Sequence, residues 1–129
     1  MNEAWPEWPV CSLAELGDPD ARDFLVGDGE WPFRGFVLQR DGALHAYANI
    51  CPHRRHPLDF PPGRFLTEQG KLIRCGSHGA LFLSETGECV FGPCVGQSLL
   101  KLDLRVEAGT ILVRAPDSLQ GAGPIAGTI

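Results

Sequence analysis

The 129-residue sequence lacks the features of membrane, secreted and nucleic-acid-binding proteins. It contains no run of about 18 apolar residues, and its first residues do not follow the basic-then-apolar plan of a signal peptide. Its 11 Lys and Arg are outnumbered by 16 Asp and Glu, so no clustered basic face for nucleic acid is expected. We therefore expect a cytoplasmic protein that binds neither membrane nor nucleic acid.

Long helical patterns are also absent, because 16 Gly and 11 Pro divide the chain into short apolar segments. Asp41-Gly42 lies between the apolar segments 33–39 and 43–49, which predicts a β-hairpin. Within 8–16 we expect a first strand followed by a loop or one helical turn. Further strands are predicted over 71–74, 80–83, 88–91, 99–106 and 111–114. The predicted fold class is all-β.

The length and the near-average composition predict one domain with one modest core. Pro- and Gly-rich residues 52–70 exclude a continuous strand or helix, so a long loop is expected there. We assign residues 1–115 to the domain and residues 116–129, rich in Gly, Pro and Ser, to a flexible C-terminal tail.

Two short motifs carry the chemistry, Cys51-Pro52-His53 and Cys75-Gly76-Ser77-His78. Each offers one thiolate and one imidazole, which are good ligands for a soft transition metal. Structural zinc uses the same ligand set, but zinc fingers usually pair Cys with Cys and His with His. Mixed pairs also fit a binuclear site in which one iron takes both thiolates and the other both imidazoles. The remaining cysteines, Cys11, Cys89 and Cys94, are expected to be free core thiols.

The order Cys-x-His then Cys-x-x-His resembles the signature of the Rieske family, and so do Gly79 after the second His and the Gly92-Pro93 turn. The resemblance covers about residues 8–115. It implies a Rieske-like fold, with an antiparallel β-sandwich base and a smaller cluster-binding subdomain of two hairpin loops at about 50–95. It also implies one 2Fe-2S cluster, and the implied ligands are Cys51, His53, Cys75 and His78.

The neighbours of these ligands differ from the cytochrome bc branch of the family. Cysteines that form a disulfide in that branch correspond to His56 and Ser77 here, and its Ser and Tyr hydroxyl donors correspond to Ala80 and Phe82. Hydrogen bonds to the sulfurs favour the more negative reduced cluster. Their loss predicts a reduction potential in the lower part of the Rieske range of roughly -150 to +300 mV.

The resemblance implies a low-potential one-electron carrier, a Rieske-type ferredoxin, and not an enzyme. Its expected partners are a reductase and a terminal oxygenase or another redox acceptor, and we expect a monomer or weak oligomer. No Gly-rich dinucleotide fingerprint or separate iron site of two His and one carboxylate is present. Two alternatives are a non-catalytic small subunit or redox sensor of a larger oxidoreductase, and a zinc-stabilised binding module.

Overall fold

A computed structural model describes residues 5–27, 32–50, 58, 65–67, 72–75 and 79–116. The strands in this part of the chain are β1 (Glu7–Ser12), β2 (Asp20–Val26), β3 (Phe33–Arg40), β4 (Ala43–Ala48), β5 (Leu72–Arg74), β6 (Leu81–Leu83), β7 (Cys89–Phe91), β8 (Lys101–Leu102), β9 (Leu104–Glu107) and β10 (Thr110–Arg114). One 3-10 turn, Leu13–Glu15, follows β1. The described residues contain no helix long and apolar enough to cross a membrane.

The strands form three antiparallel sheets, with the orders β1-β10-β9, β2-β3-β4-β8 and β5-β6-β7. The first two sheets enclose one apolar core, to which β2, β3, β4, β8 and β10 contribute buried side chains. This pair of sheets is the predicted antiparallel β-sandwich base. The third sheet falls within the range predicted for the smaller subdomain. Since all three sheets are antiparallel and no α-helix occurs in the described residues, the all-β prediction is confirmed.

Strand β3 is buried on both faces because alternate residues of a strand point to opposite sides of the sheet. Phe33 and Val37 belong to the core between the first two sheets. Phe36 and Leu38 belong to a second core, which they share with Tyr47 of β4. The β3-β4 hairpin is therefore the element on which both cores are built.

The second core joins this hairpin to the third sheet. It is formed by Phe36, Leu38, Tyr47, Leu58, Phe65, Ile73, Cys75, Ala80, Phe82, Cys89, Cys94 and Leu99. The rings of Phe36 and Phe65 stack with centroids 4.4 Å apart. The Tyr47 hydroxyl donates a hydrogen bond of 2.7 Å to the Ser84 carbonyl, which satisfies the buried polar end of this ring. These contacts fix the third sheet against the base.

The hairpin predicted from Asp41-Gly42 is confirmed, and its turn residues both have positive φ, 53° and 78°. The carboxylate of Asp18 accepts hydrogen bonds from the N–H groups of Asp41 and Gly42, each at 2.8 Å. Hydrogen bonds to a charged acceptor are stronger than neutral ones. Asp18 therefore stabilises the end of the hairpin opposite to the one that leads to Cys51.

The structure differs from the predicted strands in two places. Strand β2 was not predicted, because Asp20, Arg22 and Asp23 interrupt its apolar pattern; it is an edge strand, where charged residues discourage pairing with other chains. The single strand predicted over 99–106 is wrong, because β8 and β9 belong to different sheets and Asp103 lies between them. The alternating residues of that segment thus serve two sheets, and Val106 is exposed.

Two predicted segments fall largely outside the described residues. Of the predicted loop over 52–70, the structure describes residues 58 and 65–67, and of the predicted tail over 116–129 it describes residue 116. Trp8 of β1 donates from Nε1 to the Ala115 carbonyl at 2.8 Å, and the Ala115 N–H donates to the Pro6 carbonyl at 3.1 Å. The chain is thus held to the base as far as residue 115.

Gly35 offers a test of the packing in the base. A Cβ atom added at Gly35 would overlap Cζ of Phe24, a buried ring. We expect Gly35→Ala to lower the stability of the cluster-loaded protein by about 1–3 kcal/mol, as overpacked cores do. Thermal melts check this. Gly17→Ala is the control, since its added Cβ would meet Asp20 at an ordinary 3.4 Å. Equal melting temperatures for the two variants would contradict the packing described.

Candidate metal centre

Of the four predicted ligands, Cys75 is described, and Cys51, His53 and His78 lie outside the described residues. Cys75 directly follows β5 and is fully buried in the second core. A thiol at the end of a short strand is held by a paired backbone on one side and begins a loop on the other. This placement suits a metal ligand, which needs a fixed backbone position and an apolar surrounding.

Backbone hydrogen bonds close the segment that follows Cys75. The Cys75 N–H donates to the Ala80 carbonyl at 2.8 Å, and the Gly79 N–H donates to the Cys75 carbonyl at 2.9 Å. Gly79 has φ +72°, a conformation that residues with a side chain rarely adopt. The ends of the segment that contains His78 are therefore fixed by backbone hydrogen bonds, which agrees with the predicted hairpin loop.

Asn49 closes the segment that contains the predicted ligands Cys51 and His53, which we call the first ligand segment. The segment between Cys75 and Ala80, which contains His78, is the second ligand segment. Asn49 is buried, two residues before Cys51, and its Oδ1 accepts a 2.7 Å hydrogen bond from the Leu58 N–H. Its own N–H donates to the Arg34 carbonyl at 3.0 Å. Since Leu58 is fully buried in the second core, both ends of the segment with Cys51 and His53 are held. The sequence analysis did not identify Asn49. The signal that could have found it is an amide residue at the end of an apolar strand, just before the Cys-Pro-His motif.

The Gly92-Pro93 turn lies against the second ligand segment. Gly92 has φ +104°, and a Cβ atom added there would lie 2.8 Å from Cα of Ala80. A side chain at position 92 would therefore push the turn away from the backbone that follows His78. The turn thus packs directly on Ala80, the residue whose carbonyl accepts the hydrogen bond of the Cys75 N–H.

Two further thiols lie in the same core as Cys75. Cys89 and Cys94 are both buried, so the prediction that they are core residues is confirmed. Burial raises the pKa of Cys94 to about 12, and its hydrogen bond with Cys89 and the proximity of Cys89 and Cys75 add to this effect. Cys94 therefore stays protonated at neutral pH. Cys11, in β1, is half-buried and packs against the first core.

A group of apolar side chains is exposed next to this site. Val90 is 46% exposed, Phe91 63% and Val95 62%. The register between β6 and β7 shifts by one residue here, pairing Leu81 with Phe91 and Phe82 with Cys89. A bulge of this kind breaks the alternation of faces, so Val90 and Phe91 are both exposed. We call Val90, Phe91 and Val95 the apolar rim.

Comparison with known proteins decides the family. The model of the Rieske [2Fe-2S] domain matches residues 7–111, most of the chain. The chain belongs to the Rieske family. Its members bind one Rieske-type 2Fe-2S cluster, so the cofactor prediction is confirmed and the zinc alternative is set aside.

Individual relatives of this Rieske chain are ferredoxins. The ferredoxin component of the alkene monooxygenase system of Xanthobacter autotrophicus (strain ATCC BAA-1158 / Py2) is 34% identical over 104 residues, which are 81% of this chain and 77% of the relative. The solved ferredoxin of carbazole 1,9a-dioxygenase from Nocardioides aromaticivorans IC177 is 25% identical, with a TM-score of 0.66, over 85% of this chain and 97% of that one.

A third protein supports the fold alone. The ferredoxin of Sphingomonas yanoikuyae B1 is 21% identical, with a TM-score of 0.65, over 86% of this chain and 100% of that one. Together with the family match, the first two relatives identify the chain as an electron-transfer protein and not an enzyme in its own right. The described site is compatible with this role, since Cys75 offers a buried thiol on a backbone held by hydrogen bonds.

Asn49 provides a test of how the ligand segments are held. We expect Asn49→Ala to lose cluster during purification, because the buried Leu58 N–H loses its acceptor at a cost of about 1–3 kcal/mol. Iron and acid-labile sulfide per chain measure the loss. Asp18→Ala is the control: it also removes side-chain acceptors of backbone N–H groups, but at the far end of the hairpin. Equal cluster contents in both variants would argue against a specific role of Asn49.

Proposed function

We propose that Cys51 and Cys75 hold one iron of the cluster through their thiolates and that His53 and His78 hold the other through their imidazoles. The observation that carries this assignment is the placement of Cys75, buried at the end of β5 with its following segment closed by the Ala80 and Gly79 hydrogen bonds. The motif spacing and the family match support the other three positions. The bound cluster supplies reversible one-electron chemistry.

On this basis the chain is a Rieske ferredoxin that carries electrons from a reductase to an oxygenase or a similar redox enzyme. Support comes from the two relatives that are named as ferredoxins of an alkene monooxygenase and of a carbazole dioxygenase. The alternative of a non-catalytic subunit has no described feature in its favour. The substrate of the oxygenase is a property of that partner.

The apolar rim is the surface on which the redox partner docks in this proposal. It lies on β7 and the turn that covers Ala80, so a partner in contact with it approaches the candidate metal centre. Electron transfer requires such a close approach, and apolar side chains exposed together commonly mark interaction sites. The net charge of -5 adds electrostatic attraction to a basic partner surface without a permanent complex.

The potential of the carrier is proposed to be low. Ala80 and Phe82 are fully buried beside Cys75 in the second core, and neither side chain has a hydroxyl group. The reduced cluster therefore receives no hydrogen bond from these two positions. This supports a potential in the lower part of the range known for Rieske centres.

The remaining assignments concern the chain as a whole. We propose a domain over residues 1–115, with a cluster-binding subdomain at about 50–95 and a tail over 116–129; the contacts of Ala115 with Pro6 and Trp8 support the boundary. We also propose that the carrier works in the cytoplasm as a monomer or weak oligomer. Free thiols at Cys11, Cys89 and Cys94 suit a reducing compartment.

The ligand assignment predicts the outcome of single substitutions. We expect Cys51→Ser, Cys75→Ser and His78→Ala to prevent cluster assembly, because each removes one ligand of the four. Visible absorption, iron content and the rhombic EPR signal of the reduced protein report assembly. Cys11→Ser is the matched control. Cys11 packs against the first core, so this variant should retain a full cluster. Normal absorption in a ligand variant would refute the role given to that residue.

The docking surface predicts a selective loss of electron transfer. We expect Val95→Asp to slow reoxidation of the reduced protein by the oxygenase component of the related alkene monooxygenase about tenfold, because a charge would be buried in the interface. Stopped-flow absorption measures the rate. Reoxidation by ferricyanide, a small acceptor that needs no docking surface, should not change.

Val106→Asp is the matched control for this experiment. Val106 is also an exposed valine, 41% accessible, but it lies on β9 in the sheet β1-β10-β9 of the base, not in the sheet β5-β6-β7 that leads to Cys75. Equal slowing by Val95→Asp and Val106→Asp would contradict the apolar rim as the docking surface.

A further inference from the structure

The sheet β5-β6-β7 has an apolar outer face in addition to the face that packs on the second core. Ile73 of β5 and Phe82 of β6 are fully buried in that core. Because neighbouring residues of a strand point to opposite sides, the residues next to these two lie on the outer face. They are three half-buried leucines and one half-buried arginine, namely Leu72, Arg74, Leu81 and Leu83. None of the three leucines packs on either core.

The strand register places Arg74 in the same row as Phe91 of the apolar rim. Arg74 pairs with Leu81, and Leu81 pairs with Phe91. Side chains that are paired across strands project from the same face and lie close enough to interact. The outer face is therefore continuous with the apolar rim. It ends beside the candidate metal centre, because Arg74 directly precedes Cys75.

Arg74 is a cation without a counter-ion on this face. Among the described residues, its guanidinium group has neither an ion-pair partner nor a hydrogen-bond acceptor. By contrast, Arg105 donates to both carboxylate oxygens of Glu7, at 2.8 and 3.0 Å. An arginine on an apolar, half-buried face is normally paired, because its charge is costly to remove from water without an acceptor. A binding partner can provide that acceptor.

The chemistry of the face indicates a protein carboxylate as the acceptor. The planar fork of N–H donors of an arginine matches the two oxygens of a carboxylate. Apolar side chains around such a pair exclude water and strengthen it, and arginines and aromatic residues are enriched where proteins bind each other. An anionic lipid surface or a second copy of the chain is disfavoured, since the net charge of -5 would be repelled by both.

We propose that Arg74 forms an ion pair with a carboxylate of the redox partner, and that apolar residues of the partner around this carboxylate pack on Leu81 and Phe91. The inference rests on the docking surface of the proposed function and adds the group that this surface recognises. The net charge attracts a basic partner from a distance, whereas the ion pair forms on contact and fixes the orientation of the complex.

Calorimetric titration of the oxidised, cluster-loaded protein with the oxygenase component of the related alkene monooxygenase tests the proposal. Binding of the oxidised protein does not depend on the driving force of electron transfer, so a changed reduction potential cannot imitate changed docking. We expect Arg74→Gln to raise the dissociation constant about tenfold, because the carboxylate of the partner loses its counter-ion. Arg74→Lys retains the charge and should bind more tightly than Arg74→Gln. Salt screens an ion pair, so the difference between Arg74→Gln and the wild type should decrease at high ionic strength.

Arg22→Gln is the matched control, because it removes the same charge from β2 of the base, and its dissociation constant should equal that of the wild type. If Arg74→Gln fails to assemble a cluster, Arg74→Met replaces it, since methionine retains an apolar stem without the charge. Equal binding by the wild type and the variant without the Arg74 charge would overturn the proposal. Equal weakening in Arg22→Gln would overturn it as well, since net charge alone would then explain the effect.

Other occupants of the face would give different results. Self-association of the wild type that is lost in Arg74→Gln would assign the face to a second copy, and binding to phosphatidylglycerol vesicles that is lost in Arg74→Gln would assign it to lipid. Either result would overturn the proposal. Weaker binding by Val95→Asp without an effect of Arg74→Gln would reject the ion pair alone. No binding of the wild type to the oxygenase would reject the proposed function, and this inference with it.

Discussion

Burial of the β3-β4 hairpin on both faces is the constraint on which the rest of the structure depends. One face packs on the sheet that contains β1, β9 and β10, and the other packs on the sheet that contains β5, β6 and β7. Because the side chains of a strand alternate, one apolar hairpin supplies both cores. The hairpin also leads the chain to Cys51 through Asn49. The position of the first ligand segment therefore depends on two strands that contribute buried residues to both cores.

The candidate centre is built by fixing the ends of short segments. The Asn49 side chain joins residue 49 to residue 58, and backbone hydrogen bonds join Cys75 to Ala80 and Gly79. Closing a segment in advance lowers the entropy lost when its ligands bind a metal. The Gly92-Pro93 turn then packs on Ala80, the residue that closes the second segment. The position of Cys75, the turn packed on Ala80 and the exposed apolar rim thus all depend on contacts around the sheet β5-β6-β7.

Much of this arrangement could be predicted from residues alone. Asp41-Gly42 between apolar segments specified the central hairpin, and the two Cys/His motifs specified the kind of centre. Strand β2 could not be predicted from periodicity, because an edge strand tolerates charges such as Arg22 and Asp23 on its exposed face. The division of 99–106 between two sheets also escaped prediction, since alternation does not report which sheet a residue faces. The role of Asn49 depends on its hydrogen bonds with Leu58 and Arg34, which residue patterns do not report, so it required the fold.

In the proposed function, two thiolates and two imidazoles of this chain hold the cluster. Pulsed EPR of the reduced, cluster-loaded protein, prepared with its histidines labelled with ¹⁵N, tests this ligand set. We expect coupling of the unpaired electron to nitrogens of two histidines, lost together with the cluster in His78→Ala. A reduced cluster without histidine coupling, or a zinc-loaded protein without an EPR signal, would contradict it.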